Sequence, residues 1–447
     1  MTLDTADDRR RAARMFVAVA AGFVASGAAL SAAGPGIANP GTSNVVTPTD
    51  PAADEAVYLE RFHRLEQAFK GVGALEYYEP LEPVPGAARS RPLPLATPAA
   101  RTIDAAALQE AREYAARNNS RALIVWRAGR VEEASYFGDA TAGSTFPSRS
   151  LAKPMSAVAV GRALALGKLR SLDQPVSDFV AEWRDDPRRS KILVRHLLDM
   201  RSGFLPQAFA PTAGDILNRA YLHPRHDEII VREYPVVDEP GTRFEYNNAT
   251  AEMVAVLLER ATGRRYAEFL STEILQPLGA AGGEVWVNRP GGVAHSGCCL
   301  MLPAETWLRL GILLLQDGVW NGRRLLPAGY VAQMRQGTPQ NPYYGLGIYP
   351  SGPYVARRGF ANPEREPEAR RVLHSEPYLA ADLFLFDGNA NQVVYVVPSE
   401  QLVILRVGEA PPRGPGREWD NAHLPNVVMR GIRRGPGKAP PPPQPRT

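Results

Sequence analysis

The sequence predicts an α+β fold: an antiparallel sheet flanked by terminal helices, with an inserted, mainly helical region. Strand patterns, short runs rich in β-branched and aromatic residues, occur towards both ends of the chain. Helical periodicity dominates the stretch between them, from about 150 to 336. Amphipathic helices precede the first strands and follow the last. The predicted helices cover 104–118 and 419–433, and the predicted strands cover 121–126, 131–137, 344–349, 383–386, 392–397 and 402–407.

The amino-acid composition of the two ends of the chain predicts where the folded domain begins and ends. The first residues have the pattern of an export signal: several arginines, an Ala/Val-rich stretch, then the small residues Ser31-Ala-Ala33. Stretches rich in Pro, Thr and Asn cannot bury a core and predict disorder. The predicted divisions are a signal peptide at 1–33, a disordered linker at 34–55, one domain at 56–434 with its helical insertion at about 151–340, and a Pro-rich disordered tail at 435–447. A cleavable signal implies a periplasmic or secreted protein, with an uncleaved anchor as the alternative.

Several function classes are disfavoured by composition. The 447 residues carry a net charge of +4 without a basic stripe, so nucleic-acid binding is not expected. Walker, Rossmann, G-x-S-x-G and HExxH patterns are missing, so neither a cofactor nor a metal site is predicted. The only cysteines, Cys298 and Cys299, are adjacent and are expected to be two buried thiols. These points favour a small-molecule substrate and no stable membrane insertion after signal removal. They say nothing about oligomeric state.

Lys153 is the first candidate functional residue. The chain has five lysines against forty-six arginines, and Lys153 follows Ser150 by three residues. A desolvated lysine can lose its proton, whereas arginine stays charged. Apolar residues at helical spacing follow Ser150, so both side chains are expected on one face at the start of a helix. The spacing indicates a serine nucleophile with a lysine base. About 0.2 S-x-x-K matches are expected by chance, and a plain Ser N-cap is an equal alternative.

Tyr246 is the second candidate. It lies in Glu239-Pro-Gly-Thr-Arg-Phe-Glu-Tyr-Asn-Asn248, just before a predicted amphipathic helix that ends near Gly263. Asn248 is the expected N-cap of that helix. Beside a Ser–Lys pair, a phenol can share the lysine's proton and pass it to a leaving group. Tyr246 is therefore either a proton carrier or only a hydrophobic anchor.

In this order the motifs resemble the serine β-lactamase/penicillin-binding superfamily. The resemblance is carried by Ser150-Leu-Ala-Lys153, then Val194-Arg-His-Leu-Leu-Asp-Met-Arg-Ser-Gly203, then the segment ending at Asn248. Within the superfamily, the sequence is most similar to the branch of class C enzymes and family VIII esterases, which includes the 6-aminohexanoate-dimer hydrolases. The resemblance covers roughly residues 104–434. The resemblance implies a β-lactamase-like fold, Ser150 as nucleophile, Lys153 as base and Tyr246 as acid/base on the leaving group. It also implies that Asn248 contacts substrate.

The third motif of the family is a Lys/His-Thr/Ser-Gly triplet on a strand. The matching place in this chain reads Phe386-Asp-Gly388, so the cation is missing and an acid, Asp387, stands beside it. The resemblance places Asp387 and Gly388 against substrate, and an acid there would repel a substrate carboxylate. The backbone N–H groups of Ser150 and Asn389 would form the oxyanion hole. His295 follows Tyr246 at about the spacing at which amide-hydrolysing relatives have a residue that contacts substrate. It is therefore either a pocket residue or an ordinary loop histidine.

Two long connections are expected to shape specificity. Residues 206–235 carry Phe209, Tyr221, His223 and His226, and residues 350–377 are rich in Pro, Arg and Glu, as in a lid or surface flap. The alternative for either segment is a solvated surface loop. The hypothesis from these patterns is an exported serine hydrolase for a small ester or linear amide. The alternatives are a D-alanyl carboxypeptidase or β-lactamase, and a non-catalytic binding protein on the same fold.

Overall fold

The structure is a computed structural model that describes residues 50–70, 78–412, 417–435 and 437–446. The predicted signal peptide and the linker up to residue 49 lie outside the described residues. None of the helices in the described part of the chain has the length and apolar character needed to span a membrane.

The helices and strands have the following bounds. The α-helices are α1 (Pro51–Phe69), α2 (Ala105–Arg117), α3 (Ala152–Ala165), α4 (Val194–Leu198), α5 (Ile216–Leu222), α6 (His226–Arg232), α7 (Asn248–Thr262), α8 (Tyr266–Leu270), α9 (Ala304–Leu315), α10 (Tyr330–Met334) and α11 (His423–Arg430). The strands are β1 (Leu81–Val84), β2 (Ser120–Arg127), β3 (Arg130–Tyr136), β4 (Thr145–Pro147), β5 (Gly283–Trp286), β6 (Leu300–Pro303), β7 (Val319–Trp320), β8 (Arg323–Arg324), β9 (Tyr349–Pro350), β10 (Arg357–Arg358), β11 (Val372–Leu373), β12 (Phe384–Gly388), β13 (Gln392–Val397) and β14 (Leu402–Gly408).

The main sheet has six strands in the order β3-β2-β14-β13-β12-β9, and each neighbouring pair is antiparallel. Because side chains alternate along a strand, the sheet presents two apolar faces. On β14, Val403 and Leu405 belong to the core shared with the inserted helices, while Leu402 and Ile404 belong to the core under α2 and α11. The predicted α+β architecture is confirmed.

The inserted region is less uniformly helical than predicted. Besides its helices it contributes β5 and β6 to a second antiparallel sheet, in the order β1-β5-β6-β4. These strands have three or four residues each, too short for their alternation to stand out from the surrounding helical pattern. The predicted strand 344–349 is also shortened to Tyr349–Pro350, because a tight turn with Gly347 at φ 73° precedes it.

Both predicted disordered segments need correction where they are described. Helix α1 begins at Pro51, inside the predicted linker, with Asp50 as its N-cap and Pro51 in its first turn. The Pro-rich tail packs against the protein. Gln444 is 4% exposed, and its side-chain amide donates to the carbonyls of Ser351 and Gly352. A Pro-rich segment can thus be held in place by hydrogen bonds that its own side chain donates to a neighbouring loop.

The two predicted specificity loops are more ordered than expected. Residues 206–235 contain helices α5 and α6, and residues 350–377 contain the hairpin β10–β11. The second segment is anchored by Arg358, whose guanidinium is buried, donates to the carbonyls of Tyr343 and Pro350, and stacks on neighbouring aromatic rings. It is a packed segment of the domain.

Candidate functional site

Ser150 lies where the chain passes from β4 into α3. Residues Arg149–Leu151 form a 3-10 turn that leads into the α-helix at Ala152, so Ser150 lies two residues before the first residue of the α-helix. Arg149 adopts a left-handed backbone with φ 51°, an uncommon conformation for a residue with a side chain. The turn is fixed from behind, since Ser148 and Leu300 exchange hydrogen bonds of 2.8 and 3.0 Å. Ser150 is thereby held at the entrance of the helix.

Lys153 lies one turn further and is 4% exposed. Its Nζ donates to Ser150 Oγ at 3.0 Å, to Asn248 Oδ1 at 2.9 Å and to the carbonyl of Gly297 at 2.8 Å. All three acceptors are neutral, and no carboxylate of the described residues forms an ion pair with this amine. The predicted Ser150–Lys153 contact is therefore present, with the amine held by neutral oxygens.

Asn248 lies one residue beyond the N-cap position that the sequence predicted for it. The N-cap of α7 is Asn247, whose side chain accepts from the backbone N–H of Thr250 at 3.3 Å. Asn248 is the first helical residue, so its side chain is free to accept from Lys153 and to line the cavity beside Ser150. The alternative of an N-capping role for Asn248 was wrong by one residue, because either asparagine can cap from the sequence alone.

Tyr246 stands on the other side of Lys153. The centre of its ring lies 4.7 Å from Lys153 Nζ, and the ring meets Tyr344 edge to face at 5.9 Å. The phenol is half-buried. The structure therefore brings Ser150, Lys153, Tyr246 and Asn248 into one cluster from the start of α3 and the start of α7.

The third motif lies against the nucleophile turn. A Cβ placed on Gly388 would lie 3.1 Å from Ser150 N and 3.0 Å from Ser148 O, which is tighter than an ordinary contact, so glycine favours this close approach of β12. Asn389 follows at the end of the strand and lines the same cavity as Ser150. This is the placement that the predicted oxyanion hole requires.

Asp387 does not line the cavity, which corrects its predicted contact with substrate. It shares the strand face of Leu385, which belongs to the core under the terminal helices. Burial raises the pKa of Asp387 to about 8, Arg358 opposes this shift and Glu366 adds to it. An acid on that face cannot repel a substrate carboxylate as the sequence had suggested. The missing cation at Phe386 remains as the departure from the family pattern.

The cavity in front of Ser150 measures about 190 Å³. One wall is aromatic and three arginines contribute to the others. The lining residues include Arg61, Arg64, Tyr78, Arg149, Ser150, Phe209, Tyr221, Asn248, Trp286 and Asn389. Two of the four candidate specificity residues, Phe209 and Tyr221, are among them, while His223 and His226 are not. The cavity can hold a small, partly apolar acyl group next to the serine hydroxyl.

His295 is fully buried and does not line this cavity, which corrects its predicted substrate contact. Its ring stacks on Trp286 at 3.7 Å, and Trp286 forms the cavity wall in front of it. Behind it stand His226, which the sequence placed in a candidate specificity loop, and Glu252, which sequence reasoning missed. Burial lowers the pKa of His295 well below its usual range and raises that of Glu252 to about 7. No motif marks these three, because each comes from a different element.

The adjacent cysteines are joined as a disulfide, where two thiols had been expected. Cys299 adopts a left-handed backbone, φ 76°, and Cys298 lines the cavity near Ser150. The hydroxyl of Tyr221 lies 3.4 Å from Cys298 Sγ. The pair is thus part of the cavity wall.

Comparison with known proteins places this geometry in context. A family model described as Beta-lactamase matches residues 106–424. The chain is 26% identical over 242 residues to the 6-aminohexanoate-dimer hydrolase of Paenarthrobacter ureafaciens, covering 51% of this chain and 60% of that protein. It is 30% identical over 145 residues to esterase EstB of Burkholderia gladioli, covering 29% and 36%.

The matched segments therefore span less than two thirds of either curated relative. A solved structure from Bacillus anthracis, provisionally named a 6-aminohexanoate-dimer hydrolase, aligns over 84% of this chain and 94% of its own, with a TM-score of 0.59 at 17% identity. That likeness establishes the fold.

Proposed function

Because the chain belongs to the beta-lactamase family, we propose that it is a serine hydrolase that forms an acyl-enzyme on Ser150. The observation that carries this proposal is the buried amine of Lys153, 3.0 Å from Ser150 Oγ and surrounded by neutral acceptors. At this distance Lys153 can act as the base that takes the serine proton.

The acylation step uses the residues around this pair. Lys153 removes the proton from Ser150 Oγ as the oxygen attacks the substrate carbonyl. The backbone N–H groups of Ser150 and Asn389 stabilise the developing oxyanion, a role supported by the close approach of Gly388 to the nucleophile turn. Asn248 holds Lys153 in place through its side-chain oxygen.

The leaving group needs a proton if it is an amine or an alkoxide. The family resemblance assigns the delivery of this proton to Tyr246, whose ring lies against Lys153 with its centre 4.7 Å from the amine. In that role the phenol gives a proton to the leaving group and recovers one from the lysine. A water molecule then attacks the acyl-enzyme, and the same groups act in reverse. Acyl transfer to water releases the acid and restores the serine.

For the substrate we propose a small ester or linear amide. The two relatives, a 6-aminohexanoate-dimer hydrolase and an esterase, support this substrate class. The small cavity with its aromatic wall supports a short acyl chain. Phe386 in place of the family's cation argues against a D-alanyl carboxypeptidase or β-lactamase, since that cation helps to hold the substrate carboxylate.

A substrate panel tests the proposal. Purified chain is assayed with a p-nitrophenyl ester, a linear 6-aminohexanoate dimer and a chromogenic cephalosporin, with Ser150→Ala as the matched variant. Turnover of the ester or the amide by the wild type alone is expected. Cephalosporin turnover instead would favour the cell-wall alternative, and no turnover by the folded wild type would favour a binding protein.

We also propose that the chain is exported and cleaved near Ala33, as the N-terminal composition suggests. Intact mass of the protein recovered from a secreting host tests this. A mature species beginning near residue 34 is expected, and full-length protein retained inside the cell would contradict it.

A further inference from the structure

Three buried side chains behind the cavity wall converge on one point. His226 opens helix α6, Glu252 lies in the second turn of α7, and His295 lies in the connection between β5 and β6. Each is at most 1% exposed. The cluster therefore joins three elements of the inserted region that are distant in sequence.

The distances within the cluster are short but exceed those of hydrogen bonds. Glu252 Oε1 lies 3.5 Å from His295 Nδ1, and Glu252 Oε2 lies 3.9 Å from His226 Nε2. One ligand atom from each of the three residues lies within 4.8 Å of the other two. Neighbouring ligands of a single metal ion are separated by about 3 to 4 Å, given metal–ligand bonds of about 2 Å.

The four ring nitrogens of His226 and His295 are buried without a hydrogen-bond partner in the described residues. The Glu252 carboxylate is buried beside them, and the backbone N–H groups of Ser296 and Gly297 face it. Buried polar groups are nearly always paired, because an unpaired one forfeits the solvation that it has in water. One isolated case would carry little weight. Four unpaired imidazole nitrogens beside a buried carboxylate, with one ligand atom of each residue near the other two, indicate a missing partner that accepts electron pairs.

The surroundings hold the rings in place. His295 is stacked between Trp286 at 3.7 Å and His226 at 4.2 Å, and Tyr221 meets its edge. The two imidazoles are parallel to within 11°. The stack on Trp286 fixes the ring of His295, which is therefore the fixed ligand. Because the two imidazole planes are nearly parallel, their nitrogen lone pairs can point at one ion only after the His226 ring rotates about its Cβ–Cγ bond.

From this arrangement we propose that His226, Glu252 and His295 form a binding site for one divalent transition-metal ion, with zinc as the favoured ion. Two imidazole nitrogens and one carboxylate oxygen are a donor set that suits Zn²⁺, and a water molecule can take the fourth position. The ion neutralises the buried carboxylate and satisfies one atom of each side chain.

The site is structural and lies next to the reaction centre. A Cβ on Gly297 would lie 3.1 Å from Glu252 Oε1, and the carbonyl of the same Gly297 accepts from Lys153. A metal ion that ties α6, α7 and the 295–297 turn together would fix this carbonyl. The ion itself is separated from substrate by the ring of Trp286.

The proposal is tested by removing any bound metal with a chelator and then titrating the metal-free protein with Co²⁺. One Co²⁺ per chain is expected, with visible d–d bands and without the near-ultraviolet thiolate-to-cobalt band that Cys298 or Cys299 would give. Zinc content by mass spectrometry should reach one per chain, and Zn²⁺ should raise the melting temperature.

Matched variants complete the test. Glu252→Gln and His295→Gln should each weaken Zn²⁺ binding by at least about 10-fold, whereas His63→Gln, at an exposed position on α1, should bind like the wild type. If the substituted chains fail to fold, the wild-type stoichiometry and spectrum decide. No bound metal in the folded wild type, a thiolate band, or equal affinity in folded variants and wild type would overturn the site in favour of a metal-free triad.

Discussion

Replacement of Lys153 by methionine isolates the amine from the rest of the side chain, since methionine is close to lysine in length and is readily buried. The change removes the base and three hydrogen bonds, to Ser150, Asn248 and the carbonyl of Gly297. A positioned base contributes about 10²–10⁴ to the rate, so kcat/KM for an ester should fall by that factor, or about 3–5 kcal/mol of transition-state stabilisation.

The same change should have a small effect on stability. The Gly297 carbonyl loses its donor, which costs about 1–3 kcal/mol, while the protein no longer has to bury an amine. The melting temperature should therefore move by only a few degrees. The assay pairs initial rates on a p-nitrophenyl ester with thermal melting of the same samples.

Two controls make the result specific to a base. Lys168→Met removes an exposed lysine just beyond the same helix and should keep wild-type rates. Lys153→Arg keeps the positive charge but cannot deprotonate, so it should be as slow as Lys153→Met. Near-wild-type turnover by a folded Lys153→Met, or recovery of the rate by arginine, would refute the reasoning.

Three further outcomes are expected. Tyr246→Phe should slow a linear amide by about 10²-fold or more but a p-nitrophenyl ester by less than about 10-fold, because p-nitrophenolate leaves without a proton; equal slowing of both substrates would contradict a role on the leaving group. Asn248→Ala removes one of three acceptors for Lys153 and should lower kcat by about 10-fold with a stability loss of about 1 kcal/mol, measured by steady-state kinetics and urea unfolding. Asp387 has a raised pKa, about 8, so its folded form keeps a proton that the unfolded chain releases above about pH 4. Wild-type unfolding free energy should therefore decline between pH 5 and 7 relative to Asp387→Asn, by up to about 1.4 kcal/mol per pH unit. Since the side chain keeps some solvent contact and Arg358 is near, the slope is an upper bound, and parallel pH curves would contradict the shift.

Local pattern was sufficient to predict that the side chains of Ser150 and Lys153 lie in contact. Ser150 and Lys153 are one helical turn apart, so their contact follows from helix geometry once the helix is recognised. The hairpin at 121–137 and the strands from 383 onwards follow from alternation and from a two-residue turn. Gly388 could be placed because a strand that passes this close to Ser150 favours a residue without a side chain.

Features that depend on tertiary contacts could not be predicted. Whether Asn247 or Asn248 caps α7 depends on where Lys153 lies, since the amine recruits the second asparagine. The order in the Pro-rich tail depends on carbonyls of the 351–352 loop, to which Gln444 donates. The residues neighbouring in sequence do not include the contact partner in either case, neither at the start of α7 nor in the Pro-rich tail.

The cluster of His226, Glu252 and His295 was beyond sequence reasoning for the same reason. Its members lie 26 and 43 residues apart on separate elements, without the short spacing of a metal motif. The strand β5 and the connection after it, which were not predicted, place His295 there. A useful signal would have been the presence of Glu252 and His295 in otherwise apolar stretches of the inserted region.

The nucleophilic role of Ser150 is the central claim, and covalent labelling tests it most directly. Wild type and Ser150→Ala are exposed to a fluorophosphonate, followed by intact mass measurement and peptide mapping. A single adduct on the wild type, located on Ser150 and missing from Ser150→Ala, is the predicted result. An adduct that persists in Ser150→Ala, or an unlabelled wild type that still hydrolyses esters, would contradict the account.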